Sequence, residues 1–91
     1  MIKIFDDWYI TIETNPTNYV IRRGDGKRDE KAGWRDKPKG FYGSLRNAIK
    51  GIREQVIADK LKDESNTLAT ALHAIEKIDN RFAEIMERVT A

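Results

Sequence analysis

The chain has 91 residues, no cysteine and a formal net charge of +2. This length predicts a single domain with a small hydrophobic core, and the lack of cysteine excludes disulfides, thiolate zinc sites and cysteine-ligated iron–sulfur clusters. No apolar run is long enough to cross a bilayer, and Asp6 and Asp7 interrupt the first segment before it can form the apolar core of a signal peptide. We therefore expect a soluble protein of the cytoplasm.

The charges are unevenly distributed along the chain. Residues 22–43 carry eight basic and four acidic side chains, and residues 44–62 carry five basic and two acidic ones. Residues 1–21 and 63–91 are both net acidic. A basic middle between two acidic ends indicates an anionic partner at the middle, or association between the middle of one chain and the acidic end of another.

The first 43 residues have the composition of a small antiparallel sheet. Residues 8–13 favour β-structure and have period two, which predicts a strand. Ile2–Phe5 is either a separate strand or the start of this one, bent at Asp6 and Asp7. The Asn15-Pro16 dipeptide predicts a turn, and residues 19–23 are expected to return as the partner strand of a hairpin. One face of this hairpin is expected to form the core: Trp8, Ile10, Ile12, Tyr19 and Ile21.

The segment from Gly24 to Gly33 is polar and bounded by glycines, which predicts a loop that is mobile at its tip. Trp34 to Asp36 are expected to start a further strand of the sheet, which residues 39–42 complete. Because Pro38 interrupts this strand and cannot donate a ladder hydrogen bond, we expect it at the edge of the sheet.

The second half of the chain has the apolar spacing of helices. Ser44 is a good N-cap for an amphipathic helix over residues 44–62. A polar break follows, where Ser65 or Asn66 is expected to cap a second, heptad-like helix over residues 66–89. Since no glycine or proline ends the first helix, one continuous helix over residues 44–89 is the alternative. We predict an α+β fold, a sheet of three to four strands followed by two C-terminal helices through which the chain dimerises.

The sequence contains no signature of a catalytic or metal site. Gly24-Asp25-Gly26-Lys27 lacks the spacing of a phosphate-binding loop, and Asp25 and Asp29 lack the remaining ligands of a calcium loop. His73 is the only histidine; it lies opposite the apolar seam, and no second ligand or nucleophile is near it in the sequence. We therefore expect a protein that acts without enzymatic activity and without a cofactor.

Basic residues of the middle segment are interleaved with aromatic ones, a combination that binds phosphates and stacked bases. Arginine would hold the phosphates, and a Trp or Tyr ring would stack on the base. The alternative is a solvated basic loop whose aromatic neighbours belong to the core, because acidic residues among the cations weaken the local field. The predicted ligand-binding residues are Arg22, Arg23, Trp34, Arg35, Tyr42, Arg46 and Arg53.

Two segments carry a resemblance to known proteins. Asn18-Tyr19-Val20-Ile21 and Gly40-Phe41-Tyr42-Gly43-Ser44-Leu45, preceded by an Ile-Lys-Ile start, resemble a group of short uncharacterised proteins encoded by bacteriophages and prophages. The likeness covers about residues 2–53, and it transfers no functional residue by position. A sheet followed by two dimerising helices also resembles the phage anti-defence proteins that sequester the cyclic nucleotide signals of Thoeris or cyclic-oligonucleotide immunity.

Three functional hypotheses follow, and all of them act by binding. The first is a phage-encoded anti-defence accessory protein that sequesters a nucleotide-type immune signal in the host cytoplasm. The second is a protein-binding inhibitor of a host defence effector, similar to an anti-CRISPR protein. The third is a small nucleic-acid-binding phage protein. The expected partners are therefore a second copy of the chain and either an anionic nucleotide signal, a host defence protein or a nucleic acid.

Overall fold

The computed structural model describes residues 1–14, 16–63 and 67–90, which divide into two compact units, Met1–Ala48 and Ile49–Ala91. The strands of the first unit are β1 (Ile2–Phe5), β2 (Trp8–Glu13), β3 (Asn18–Arg23), β4 (Arg28–Asp29), β5 (Gly33–Trp34) and β6 (Pro38–Tyr42). The helices are α1 (Leu45–Asp63) and α2 (Leu68–Thr90). The predicted α+β fold, with an antiparallel sheet followed by two helices, is confirmed.

The main sheet has four antiparallel strands in the order β1-β2-β3-β6. The strand β1 is separate from β2, and the turn between them contains Asp6 in the left-handed region at a φ of 49°. Pro38 lies at the edge of the sheet, as predicted, but it starts the strand β6 instead of interrupting a longer one, next to a bulge in the pairing with β3. The predicted turn at Asn15 lies partly outside the described residues.

The burial of β2 and β3 differs from the predicted one-sided core. Trp8, Ile10 and Ile21 are buried as expected, but Ile12 is 53% exposed and Tyr19 is only half-buried. The prediction for Ile12 is wrong because β1 begins at Ile2, opposite Ile10, so no residue of β1 flanks the end of the hairpin. The opposite face of these strands is buried as well, and its buried residues are Tyr9, Thr11, Val20 and Arg22.

Part of the predicted loop at residues 24–33 is a short hairpin. The strands β4 and β5 pair through Arg28 with Trp34 and Asp29 with Gly33, and they form a separate two-stranded sheet. Gly33 has a φ of 79°, a left-handed conformation that suits the residue after a three-residue hairpin loop. Trp34 therefore belongs to this hairpin, and the prediction that it starts a strand of the main sheet is wrong.

The two helices are separate and capped, so the alternative of one continuous helix is wrong. The Ser44 hydroxyl accepts the Asn47 N–H at 3.1 Å, which confirms Ser44 as the N-cap of α1. Ser65 and Asn66 lie outside the described residues, and the cap of α2 is Thr67 instead. Thr67 Oγ1 accepts the Thr70 N–H at 3.3 Å, and Thr70 Oγ1 accepts the Thr67 N–H at 3.0 Å. This reciprocal pair resembles a capping box in which threonine replaces the usual glutamate.

The apolar stripe of α2 is buried at its centre and exposed at its start. Ile78 and Phe82 are buried, whereas Leu68 is 78% and Leu72 is 52% exposed. His73, which was expected at the surface, is exposed. No helix among the described residues is long and apolar enough to span a membrane.

Candidate functional site

Asp36 connects the segment after β3 to the main sheet. The Tyr9 hydroxyl donates to Asp36 Oδ2 at 2.5 Å, and the Gly26 N–H donates to the same oxygen at 3.0 Å. Arg22 Nη1 donates to the Asp36 carbonyl oxygen at 2.6 Å, and its Nε donates to Thr11 Oγ1 at 3.0 Å. We call these five residues the Asp36 network. It fixes the chain two residues after Trp34, and Trp34 consequently lies beside the buried ring of Tyr9.

The Asp36 network shifts the pKa of Tyr9 and that of Asp36. Burial and the hydrogen bond to Asp36 raise the pKa of Tyr9 from 10.0 to about 12. The Tyr9 hydroxyl and the Gly26 N–H hold the pKa of Asp36 below its usual value of 3.8. Gly24 leaves room for this carboxylate, because a Cβ at that position would overlap it. Both shifts mean that the neutral phenol and the charged carboxylate are the stable pair.

We expect the stability of the protein to fall at high pH through Tyr9. A folded-state pKa of about 12 lies above the ordinary value of 10.0, so the stabilisation is complete below pH 10 and is lost as the pH rises towards 12. In urea unfolding between about pH 9 and pH 12, the free energy of unfolding should fall more steeply with pH for the wild type than for Tyr9→Phe. Tyr19→Phe is the control and should keep the wild-type slope. Equal slopes for all three proteins would contradict the role of Tyr9.

A cleft of about 280 Å³ lies where the β4–β5 hairpin meets the first strands. Arg28 and Trp34 contribute the polar and aromatic part of its lining. The rest of the lining is Met1, Ile2, Ile10, Thr11 and Ile12. Since Met1, Ile2 and Ile12 are exposed apolar side chains, the cleft combines an apolar rim with one cation and one indole. We call it the Trp34 cleft.

Arg28 and Trp34 form the chemically distinctive part of this cleft. The guanidinium carbon of Arg28 lies 5.8 Å from the centroid of the Trp34 ring, within the range of a cation–π contact. The Tyr9 ring lies 5.8 Å from the Trp34 ring at an angle of 49°. Trp34 is therefore supported from within by Tyr9 and carries an exposed arginine at its ring. A flat ring that stacks on Trp34 would take the place of the Arg28 guanidinium, whose donor fork would then bind an anion beside the ring.

A second cleft, of about 300 Å³, has the opposite charge. Its lining includes the carboxylates of Asp6, Asp7 and Asp25 but only one cationic side chain, that of Lys3. Three carboxylates against one lysine disfavour an anionic ligand. Among the described residues, no group of three His, Asp or Glu side chains comes together to hold a metal ion. The Trp34 cleft is consequently the better candidate for binding an anion.

The arginines predicted from β3 have partners within the sheet. Arg22 is buried, and besides its bonds in the Asp36 network it lies 3.9 Å from Glu13 Oε1. Arg23 Nε donates to Asp7 Oδ1 at 3.1 Å, and its guanidinium lies 5.6 Å from the Trp8 ring centroid. These contacts favour a structural role for both arginines.

The other predicted residues lie on several elements, and of the seven only Trp34 lines the Trp34 cleft. Arg35 is exposed directly after β5, and Tyr42 is half-buried on β6. Arg46 is exposed in the first turn of α1. Arg53 belongs to the helical unit, where its Nε donates to Asp79 Oδ1 at 2.5 Å.

Arg28 was not among the predicted ligand-binding residues, although the sequence contains a signal for its position. Asp29 and Gly33 flank a three-residue loop, and Asp29 Oδ1 accepts the N–H groups of Lys31 and Ala32. This turn chemistry is typical of a hairpin, and a hairpin pairs Arg28 with Trp34.

Comparison with protein-family models, curated proteins and solved structures finds no match for the chain. The resemblance to phage proteins consequently stays a prediction.

Proposed function

We propose that the protein binds a nucleotide moiety, a base joined to a phosphorylated sugar, in the Trp34 cleft. The observation that carries the proposal is the pairing of Arg28 with Trp34 beside an apolar rim. Stacking of a base on an aromatic side chain contributes about 1–3 kcal/mol. An arginine fork binds phosphate oxygens by charge-assisted hydrogen bonds. The two contacts together recognise an anion that carries a flat ring.

The size and lining of the cleft support the same ligand class. A volume of about 280 Å³ is at the lower limit of ligand pockets, which favours one base with its sugar rather than a larger cofactor. The exposed apolar side chains of Met1, Ile2 and Ile12 would lose water-accessible surface against the stacked ring, which favours binding. The proposed action is binding alone, without catalysis.

The proposed biological role is the one that the phage resemblance suggests. Sequestration of a nucleotide-type immune signal in the host cytoplasm requires a protein that binds the signal without turning it over. A base-stacking tryptophan beside an arginine supplies the chemistry for this role. An anti-CRISPR-like inhibitor would instead bind a host protein, and such a role does not require a nucleotide-binding site in the Trp34 cleft.

A thermal-shift series tests the proposal. The purified protein would be heated with cyclic ADP-ribose isomers, cyclic di- and trinucleotides, NAD and AMP, each at one salt concentration. A ligand at about 100 times its Kd adds about 2.7 kcal/mol, which corresponds to a rise in Tm of roughly 10 °C or more in a chain of this size. We expect such a rise with at least one nucleotide and a smaller one with inorganic phosphate. No rise with any nucleotide would contradict the proposal.

We also propose that the protein self-associates through its helical unit. The exposed side chains of Leu68 and Leu72 continue the apolar stripe whose centre is buried at Ile78 and Phe82. Covering an exposed stripe of this kind with a second copy would remove apolar surface from water.

Light scattering should give the mass of two chains of 10.5 kDa. Leu72→Glu should lower this mass towards that of one chain, whereas His73→Glu, an equal charge placed at the next exposed residue, should not. A wild-type protein with the mass of a single chain would contradict self-association.

A further inference from the structure

We infer that the nucleotide moiety is part of a single strand of nucleic acid, whose sugar–phosphate backbone continues from the Trp34 cleft along Arg35, Lys37 and Lys39. The inference rests on the proposed function, because the cleft would bind one base of that strand. It adds a second, extended binding surface, and it makes the ligand a polymer instead of the free nucleotide signal of the proposed biological role. We call the three cations the basic strip.

Three acidic side chains near the basic strip accept hydrogen bonds from backbone N–H groups of the protein. Asp25 Oδ1 accepts the Lys27 N–H at 3.2 Å, and Asp29 Oδ1 accepts the Lys31 N–H at 2.9 Å. Asp36, the only acidic residue between Arg35 and Lys39, has its carboxylate bonded to the Tyr9 hydroxyl and the Gly26 N–H. Three of the four carboxylates in residues 22–43 therefore have structural partners, and the fourth, that of exposed Glu30, has none among the described residues.

The cations of the strip face solvent instead. Arg35, Lys37 and Lys39 are all exposed, and no ion pair joins any of them to another described residue. Their order along the chain places a cation at every second position, with Asp36 and Pro38 between them. A row of unpaired cations next to a stacking platform is the arrangement that single-strand-binding proteins use.

The backbone under the strip is held in place at both ends. The Arg35 N–H donates to the Lys27 carbonyl oxygen at 3.1 Å, which fixes Arg35 beside the β4–β5 hairpin. Lys39 lies in the edge strand β6, at the irregularity in its pairing with β3. The backbone of the strip is thus preorganised, and a ligand would have to order only its side chains.

The edge strand itself is protected against pairing with another strand. Pro38 lacks an N–H, Lys39 is charged, and a bulge interrupts the ladder at this point. These three features block edge-to-edge association of sheets. A polyanion would bind the charged side chains of this edge and would not need hydrogen bonds to its backbone. It therefore fits this surface better than an added β-strand does.

The chain between Trp34 and Lys39 limits the reach of the strip. Five residue steps at roughly 3.3 Å set an upper limit of about 16 Å, because the chain bends at Arg35 and Asp36. Site sizes of single-strand-binding folds begin at about four nucleotides. A strand of that length would place one base on Trp34 and its neighbouring phosphates at the basic strip.

The test compares dTMP with oligodeoxythymidylates of four and eight nucleotides, by tryptophan fluorescence at several salt concentrations. We expect the affinity to rise at least tenfold from dTMP to the tetramer, and the salt dependence to become steeper by about 0.7 per added phosphate contact. The triple variant Arg35→Gln, Lys37→Gln, Lys39→Gln should lose this gain and keep the wild-type affinity for dTMP. Its control is Lys50→Gln, Lys62→Gln, Lys77→Gln, three exposed lysines of the helices with the same total charge change. The control should bind the tetramer as the wild type does.

The outcomes separate the two proposals. Binding of dTMP with no gain for the oligomers would overturn the inference and leave the proposed function standing. The inference would also be overturned if the triple variant kept the rise in affinity from dTMP to the tetramer. Oligomer binding that depends on the strip but is unaffected by Trp34→Ala would overturn the Trp34 cleft as the base site. If a duplex of eight base pairs bound with the same affinity as the single-stranded octamer, the inference that the ligand is single-stranded would be wrong.

Discussion

Replacing Trp34 with alanine should weaken nucleotide binding by about fivefold to 150-fold. The loss of a stacked base costs about 1–3 kcal/mol, and each 1.4 kcal/mol corresponds to a factor of ten in Kd. Trp34→Phe keeps an aromatic surface and should retain part of the affinity. Fluorescence titration is suitable because the other tryptophan, Trp8, is only 3% exposed and should contribute a constant signal.

Arg28→Gln gives an independent measure of the same site. Trp34 packs against Tyr9, so its removal also disturbs the fold, whereas Arg28 is exposed and is easier to replace. We expect Arg28→Gln to raise Kd by about tenfold, the value of one charge-assisted hydrogen bond. Arg88→Gln, the same change at an exposed position of α2, should leave Kd unchanged. A Kd that is unaffected by both Arg28→Gln and Trp34→Phe, or equally affected by Arg88→Gln, would refute the site.

Arg22→Ala should lower the free energy of unfolding by about 2–4 kcal/mol. The variant removes hydrogen bonds from a charged, buried donor to Thr11 Oγ1 and to the Asp36 carbonyl oxygen, and it removes the packed stem of the side chain. Part of the effect should persist in Arg22→Met, which restores the packing but not the donors. Urea unfolding measures both values.

Arg23→Ala is the matched control for this prediction. Arg23 is the next residue of β3, and 47% of its side chain is exposed in its pair with Asp7. Exposed ion pairs contribute at most about 1 kcal/mol. Similar losses for Arg22→Ala and Arg23→Ala would mean that the Asp36 network does not stabilise the sheet.

The sequence predicted those parts of the fold that local residues decide. The alternation of residues 8–13 identified β2, Pro38 identified the edge strand, and the Ser44 hydroxyl identified the start of α1. In each case the signal and its partner lie within a few residues of one another. The prediction of Ser65 or Asn66 as the second cap missed Thr67, because all three residues have a side chain suited to capping.

The misses concern contacts between distant residues. Tyr9 is buried by a segment that ends 27 residues later at Asp36. No pattern in the residues next to Tyr9 could predict this burial. The exposure of Ile12 depends on where β1 begins, which is a matter of register. In the candidate site, composition pointed to arginine and tryptophan near residue 34, and the ligand-binding role of these residues stays a prediction. It could not distinguish Arg22, whose donors are used internally, from Arg28, which lies at the Trp34 ring.

The most direct test of the nucleotide site is an NMR titration of the two tryptophan indole N–H signals with AMP. Trp34 lines the cleft and Trp8 is buried in the sheet, so the two signals report on different places. We predict that the Trp34 signal shifts progressively and saturates, that the Trp8 signal stays in place, and that Arg28→Gln moves the midpoint to higher AMP concentration. A Trp34 signal that does not move up to millimolar AMP, or a shift confined to Trp8, would contradict the proposal that this cleft binds nucleotides.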